Sequence, residues 1–306
     1  MMQTSKPLVG NSFKLGYRFQ RYWDTSMAIA FFSAEVGAGL FLVSFFLDYV
    51  PGMIVGLLIA GTLKPYFHLA HMGVPQKSWR AILRPDRSWI SRGALAVALM
   101  IGCGVVYLLE RTYGVGSAAV GLGPAVMTAV GYGAVIGALV VVFYQGLAMA
   151  HSESFTLWAN PLVPLSSGCY AFTAGSLLAL VIGAQSISAE HLGMLRGFSV
   201  ILLLIDVCVI AGILVLARNK SPGGAFSVSL LLNGEYASLF RYVVIFLGLL
   251  VPLVLLLVSQ HFVAVLFAAL SMLSGFFCYR VLIFKAAVFE PITHDLAGSI
   301  GLPRTS

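Results

Sequence analysis

Charged side chains are scarce in this chain of 306 residues: they make up 9% of the sequence, whereas 59% of the residues are hydrophobic. A typical soluble domain carries about 25% charged residues and about 45–50% apolar ones. A water-soluble fold could not hide so much apolar surface, and lipid must therefore cover it. The composition excludes the ordinary soluble classes and predicts an integral membrane protein.

Cysteine is also scarce. The chain has four, at Cys103, Cys169, Cys208 and Cys278, and each lies inside an apolar run without forming a CxxC pair. Isolated cysteines in apolar segments usually behave as small buried hydrophobes. We therefore expect neither a metal site nor an iron–sulfur cluster held by this chain.

Eight apolar runs divide the sequence, each close to the roughly 20 residues that a helix needs to cross a bilayer. We expect all of them to be helical, because a helix satisfies its own backbone hydrogen bonds in lipid. The predicted fold class is all-α integral membrane, with about eight transmembrane helices. The runs are Thr25–Leu47, Gly52–His71, Gly93–Leu109, Gly123–Ala150, Leu162–Ala184, Leu195–Leu216, Tyr242–Val258 and Phe262–Phe284.

The net charge of +7 comes from basic residues that cluster between the runs, which favours a membrane orientation signal over nucleic-acid binding. Fifteen of the 18 lysines and arginines fall on one predicted face, and the opposite face has Arg111 and Arg196. The positive-inside rule then predicts that both termini are cytoplasmic. The fifteen are Lys6, Lys14, Arg18, Arg21, Lys77, Arg80, Arg84, Arg87, Arg92, Arg218, Lys220, Arg241, Arg280, Lys285 and Arg304.

Three ionisable residues fall well inside the runs: Glu35 and Asp206 near the middle, and Lys64 in the last third of the second run. A charge at that depth costs roughly 2.5–3.5 kcal/mol even on lenient scales. One interpretation is a proton relay or a polar cavity. The other is a structural role, with a Glu35–Lys64 ion pair holding the first two helices together.

The second run ends with Lys64, His68 and His71, whose spacings of four and three place them on one helical face. Histidine can exchange a proton near neutral pH and can donate a hydrogen bond to a carbonyl oxygen. These properties suit a quinone, although two interfacial histidines bound to water would show the same pattern. A bis-histidine haem would need histidines that face each other from two helices, and the remaining histidines lie in loops, at run ends or in the tail.

The loop after the second run combines interface-type tryptophans with regularly spaced arginines, and Pro75 and Pro85 interrupt it. The spacing favours a short amphipathic helix lying on the membrane surface. Such a helix could contact lipid headgroups, dock a peripheral protein, or do both. The candidate docking residues are Lys77, Arg80, Arg84, Arg87 and Trp89.

Three motifs resemble one family. The first is FHLAHMGVPQKSWRAILRPDRSWISRG at 67–93, the second is TLWANPLVPLSSG at 156–168, and the third is YRVLIFKAAVFEP at 279–291. Together they resemble the NrfD/PsrC/DmsC family of membrane anchor subunits of molybdopterin oxidoreductase complexes, over essentially the whole chain. Gly93 stands where the DmsC branch often has a glutamate, which favours the NrfD/PsrC branch.

The resemblance implies two four-helix bundles, with the chain divided into an interfacial segment at 1–24, a first bundle at 25–150, a second bundle at 151–290 and a tail at 291–306. The basic loop at 72–92 belongs to the first bundle. It also implies a quinone-reactive anchor in the inner membrane, which exchanges electrons between menaquinone or ubiquinone and a multi-cluster iron–sulfur subunit. That partner in turn serves a molybdopterin catalytic subunit, so the terminal substrate reacts elsewhere and this chain holds no haem or iron–sulfur cluster.

In similar proteins the quinone site lies near the iron–sulfur face, at the start of the first helix and the ends of the second and fourth. Those places hold the candidate quinone residues of this chain, to which we add Arg92. Polysulfide and nitrite members work outside the cytoplasm, whereas the charge bias here favours the cytoplasmic face. Two other functions stay open: a secondary transporter with Glu35, Lys64 and Asp206 along its path, and a haem b cytochrome. The candidate quinone residues are Tyr22, Trp23, His68, His71, Arg92, Tyr144, Gln145 and His151.

Overall fold

A computed structural model describes residues 17–114 and 123–290, and in this part of the chain eight helices are long and apolar enough to cross a membrane. The predicted all-α integral membrane class is therefore confirmed. The predicted tail at 291–306, and Lys6, Lys14 and Arg304, lie outside the described residues. The spanning helices are α1 Thr25–Phe46, α2 Val50–His71, α3 Trp89–Tyr113, α4 Pro124–Ala150, α5 Leu162–Ile182, α6 Ala189–Lys220, α8 Leu239–Val258 and α9 Phe262–Lys285, and the shorter α7 is Pro222–Leu232.

Two helices extend well beyond their predicted bounds. Helix α3 begins at Trp89, four residues early, because the Ser88 side chain caps it by accepting the Ser91 N–H at 3.3 Å. Helix α6 has 32 residues and is capped in the same way by Ser188, which accepts the His191 N–H. Hydropathy marks only the apolar part of a helix, so polar end turns are missed.

The loops also differ from expectation. The short amphipathic helix expected in the loop at 72–92 is present as a 3₁₀ helix, Pro75–Ile82, but Arg84 and Arg87 lie in the turn after it and do not belong to the helix. Pro85 disfavours helical backbone at the residue before it, which explains the early end. The connection between α6 and α8 contains α7, which begins with Pro222 at its first position.

Buried apolar side chains form two clusters. One gathers residues mainly of α1 to α4, the other gathers residues of α1, α5, α6, α8 and α9, and α1 contributes to both. Helices α1 and α2 approach closely at Gly37 and Gly56, where a Cβ added to Gly56 would lie 2.6 Å from the Gly37 carbonyl oxygen. The division into two four-helix bundles and the associated domain boundaries stay predictions.

The segment before α1 pairs with the chain after α9. Phe19 forms an isolated antiparallel bridge with Val288, and the Gln20 N–H donates to the Ala287 carbonyl oxygen at 3.0 Å. This pairing fixes the approach to α1 at the end of the molecule where α1 begins and α2 ends. We call it the basic end, because the loop at 72–92 lies there.

The second and third motifs, far apart in sequence, meet at the basic end. The Trp158 indole N–H donates to the Ile283 carbonyl oxygen at 2.8 Å. The Glu290 carboxylate accepts hydrogen bonds from Thr156 at 2.7 Å and Ser221 at 2.8 Å. These contacts tie the start of α5, the α6–α7 junction and the end of α9 together.

Candidate functional site

A cavity of about 730 Å³ opens at the basic end between the first four helices. Its walls come from the approach to α1, the last two turns of α2, the 3₁₀ helix, the start of α3 and the end of α4. Most of the lining side chains are apolar. The polar and interface-type aromatic residues on its wall are Tyr22, Trp23, Lys64, His68, His71, Ser78, Trp79 and Tyr144.

The backbone of α2 changes just before the cavity. Residues Ile59–Leu63 form one turn of π-helix, directly before Lys64 and Pro65. A proline cannot donate to the carbonyl four residues earlier, and its ring crowds that carbonyl, so the wider turn relieves the conflict. Beyond this turn Lys64 is buried, with 5% of its surface exposed, and it lines the cavity.

Lys64 is held by aromatic neighbours from two other helices. Its ammonium donates a hydrogen bond to the Tyr144 hydroxyl and lies 5.7 Å from the centre of the Phe31 ring. Gly93 of α3 makes room for Tyr144, because a Cβ at that position would collide with the tyrosine ring. The structure thus brings together two residues, Lys64 and Tyr144, that the sequence suggested for different roles.

The two histidines of α2 have different surroundings. The His71 Nδ1 lies 3.1 Å from an Asp24 carboxylate oxygen, and Asp24 also caps α1 by accepting the Met27 N–H at 3.1 Å. Partial burial alone would raise the pKa of Asp24, but the hydrogen bond from Met27 and the neighbouring His71 outweigh burial and lower it. His68 has a buried Nδ1 with no hydrogen-bond partner in the described chain, so no described contact commits that nitrogen to another role.

Three of the candidate quinone residues are not brought to the cavity wall. Arg92 stacks over Trp89 at 4.4 Å and donates to the Pro85 carbonyl oxygen at 2.8 Å. His151 packs edge-on against the same tryptophan at 5.3 Å. The buried Gln145 donates to a carbonyl of its own helix. In this structure Arg92 and His151 pack around Trp89 beside the cavity.

Glu35 forms a fully buried ion pair with Arg280 of α9, which donates to its two carboxylate oxygens at 2.8 and 2.7 Å. The guanidinium also donates to Ser167 of α5 at 3.3 Å. The partner of Glu35 is therefore Arg280 and not Lys64, which donates to Tyr144 instead. Arg280 was predicted to lie with the basic residues outside the membrane, but its position inside the eighth apolar run, Phe262–Phe284, indicates burial.

Asp206 lies away from the cavity, at the contact between α5 and α6. One carboxylate oxygen accepts a hydrogen bond from Thr173 at 2.8 Å, and the other has no partner in the described residues. One turn further along α5, Ser176 and Ser199 are hydrogen-bonded at 2.8 Å. The three predicted relay residues therefore occupy three separate polar contacts.

The family model described as polysulphide reductase, NrfD, matches residues 15–290. The chain belongs to the NrfD family. No curated relative matches the sequence. Family membership makes this chain a membrane subunit of quinone-linked oxidoreductase complexes, and NrfD subunits typically pair with iron–sulfur and molybdopterin subunits.

In this NrfD-family subunit an exposed basic surface borders the cavity. Lys77, Arg80, Arg84 and Arg87 are exposed, and Trp89 is half-buried. Arg87 lies 3.2 Å from Asp86, whereas Arg80 lies over the Trp79 ring at 5.6 Å. Trp79 also lines the cavity, so the 3₁₀ helix contributes both to the cavity wall and to the outer basic surface.

Proposed function

We propose that this chain is the quinone-reactive anchor that exchanges electrons between the membrane quinone pool and an iron–sulfur subunit of a molybdopterin-type oxidoreductase. The observation that carries the proposal is the apolar cavity with Lys64, His68 and Tyr144 on its wall. It lies at the same end of the molecule as the basic surface, so a peripheral partner docked there would sit next to it.

The cavity fits a quinone in size and chemistry. Its volume of about 730 Å³ falls within the range of roughly 300–1,000 Å³ that is usual for small-molecule sites. A bound menaquinone or ubiquinone supplies two-electron, two-proton redox chemistry. Lys64, Tyr144 and His68 would hold its two oxygens, because each can donate a hydrogen bond and the Nδ1 of His68 has no partner within residues 17–114 and 123–290.

The proton route begins at the cavity wall. Lys64 donates to Tyr144 at the wall and lies beside the ring of Phe31, one turn of α1 before the buried Glu35. Ionisable side chains buried at such depth usually face a cavity or one another. We propose that Lys64 and Tyr144 exchange protons with the cavity and that Glu35 supports their charge changes.

A continuation of this route runs along α5, where polar residues recur at every third position from Ser167, beside Arg280, to Ser176, beside Ser199. Between them lie Tyr170, whose ring stacks on Phe276, and Thr173, which donates to Asp206 at 2.8 Å. Nine residues of helix span about 13 Å, nearly half of the hydrocarbon core. Asp206, one oxygen of which has no hydrogen-bond partner among the residues that the structure describes, would hold a proton midway along this route.

The basic surface is proposed to dock the iron–sulfur subunit, with an acidic patch of the partner facing the exposed residues Lys77, Arg80, Arg84 and Arg87 and with Trp89 supporting the loop. The excess of basic residues at this end favours the cytoplasmic side of the inner membrane. A reporter fused to the α2–α3 loop tests the orientation: activity of a cytoplasm-dependent reporter supports it, and activity of a periplasm-dependent reporter contradicts it.

The decisive experiment replaces His68 with alanine in the assembled complex. Quinol-linked turnover should fall at least about tenfold, since a charge-assisted or buried hydrogen bond to substrate is lost. Turnover with a soluble dye as electron partner should be unchanged, because the dye bypasses the membrane site. His191, exposed at the opposite end, gives the matched control His191→Ala.

Normal quinol turnover in the His68→Ala complex would remove this residue from the site. Co-purification separates the anchor from the transporter alternative, because an anchor should bring iron and a molybdopterin subunit with it. Purification of the chain without iron or pterin from cells that express all subunits of the complex would contradict the proposed assembly.

A further inference from the structure

A second cavity lies at the end of the molecule opposite to the basic end. It has a volume of about 570 Å³ and opens between α5, α6, α8 and α9. Most of its wall is apolar, with Leu180, Leu192, Val200 and Phe262 among the lining residues. The charged residue on this wall is Arg196 of α6.

Arg196 is unusual for its position. The helix ends opposite to the basic end carry few basic residues. Arg111, the other arginine on that face, is hydrogen-bonded to Asp48. Arg196 instead donates through Nε to the Leu256 carbonyl oxygen, near the end of α8. That single bond fixes the guanidinium at the cavity, and its two terminal nitrogens have no further hydrogen bond within the described ranges.

The cavity is accessible along one face of α6. A Cβ added at Gly193 or at Gly197 would meet no atom within 4 Å, so the space beside these glycines is open. Both line the cavity on either side of Arg196 in the sequence. An extended apolar chain could therefore lie against α6 while its polar end reaches the guanidinium.

We propose that this cavity binds a membrane phospholipid, with the phosphate of the headgroup on the Arg196 guanidinium and one acyl chain along the apolar wall. Charge complementarity supports the phosphate, because arginine presents a planar fork of donors that matches phosphate oxygens. The cavity lies at the ends of the spanning helices, which is where the headgroups of a bilayer would be. A lipid is favoured over free phosphate because most of the wall is apolar.

The test measures lipid retained by the complex purified in detergent, followed by titration with dioleoylphosphatidylglycerol and detection by native mass spectrometry. Arg196→Ala should weaken retention about tenfold, since a charge-assisted pair is lost. The matched control Arg111→Ala, on the same face, should retain lipid as the unmodified protein does. Gly197→Leu keeps Arg196 and its bond to Leu256 but fills the space beside α6 in this cavity. The variant should therefore also lose the lipid.

Equal retention in Arg196→Ala and Arg111→Ala would overturn the proposal. The proposal would also be overturned if inorganic phosphate protected the complex against thermal unfolding as strongly as the phospholipid does. The acyl chain would then contribute nothing to binding. If Arg196→Ala fails to assemble, Gly197→Leu decides: unchanged lipid binding in that variant contradicts the site. Dye-linked and quinol-linked turnover should be unaffected in Gly197→Leu, so the outcome is independent of the quinone proposal.

Discussion

Replacing Glu35 with glutamine tests the buried ion pair most directly. Both partners, Glu35 and Arg280, are completely buried, and the amide keeps the size and shape of the side chain while removing its charge. Arg280 would then keep its contacts with Ser167 at 3.3 Å and the Met149 sulfur at 3.8 Å, and neither carries a compensating charge. The substitution leaves a buried guanidinium without its counter-ion.

The expected cost follows from that isolation. Removing one partner of a buried ion pair typically destabilises a protein by about 3–5 kcal/mol, because the remaining charge stays desolvated. The pair joins α1 to α9, helices at the two ends of the chain, so the loss should loosen the contact between the two clusters of buried residues. We expect Glu35→Gln to unfold at a clearly lower temperature than the unmodified complex.

The assay is thermal unfolding in detergent, followed by size-exclusion chromatography of the heated complex. A second substitution should restore most of the stability only if it removes the stranded charge. Arg280→Gln in the Glu35→Gln background does so, since a buried ion pair can be replaced by neutral groups at little cost. Lys64→Met in the same background is the matched control and should restore little, because Lys64 bonds to Tyr144.

Two results would refute this reasoning. One is unaltered thermal stability of Glu35→Gln, and the other is equal rescue by Lys64→Met and Arg280→Gln, which would make Lys64 the true partner. The rescued Glu35→Gln/Arg280→Gln protein also isolates the proposed proton route. If it is stable yet slow in quinol-linked turnover, the Glu35–Arg280 pair contributes to proton transfer in addition to holding the helices together.

Three further variants test other parts of the proposal. Tyr144→Phe removes the hydroxyl that accepts from Lys64 and should slow quinol turnover roughly tenfold while dye turnover is kept, and an equal fall in both rates would point to general damage. Asp206→Asn should slow quinone-coupled turnover severalfold without loss of assembly, and normal turnover would remove it from the route. Reversing Arg80 and Arg84 to glutamate should release the peripheral subunits. One exposed ion pair contributes only about 0–1 kcal/mol, so both charges are reversed together to add repulsion. Retention of those subunits in high salt would instead show that the loop contacts lipid headgroups.

The number of spanning helices and their class could be read from the sequence. A lipid-facing helix must be apolar over about 20 residues whatever it packs against, so hydropathy alone locates it. A second local property, the spacing of residues along one helix, placed Lys64, His68 and His71 on a common face at the end of α2. The family motifs then pointed to Tyr22 and Tyr144, which the structure places on the same cavity wall.

Only the tertiary structure determined which of the buried charges meet. Glu35 and Arg280 lie 245 positions apart, and nothing local distinguishes Arg280 from Lys64 as the partner of Glu35. The contact depends on how α9 packs against α1. The same holds for Asp206, which packing at the α5–α6 contact pairs with Thr173 and keeps away from the cavity wall.

Local backbone chemistry explains the other differences. The amphipathic helix expected in the loop at 72–92 depended on arginine spacing, but Pro85 ends the helical backbone before Arg84 and Arg87 can join it. Hydropathy and spacing are properties of short segments, and they determine how many helices cross the membrane and which face of each is polar. Which polar faces meet is decided by the packing of distant helices, because each buried charge needs a partner that only the assembled fold can supply.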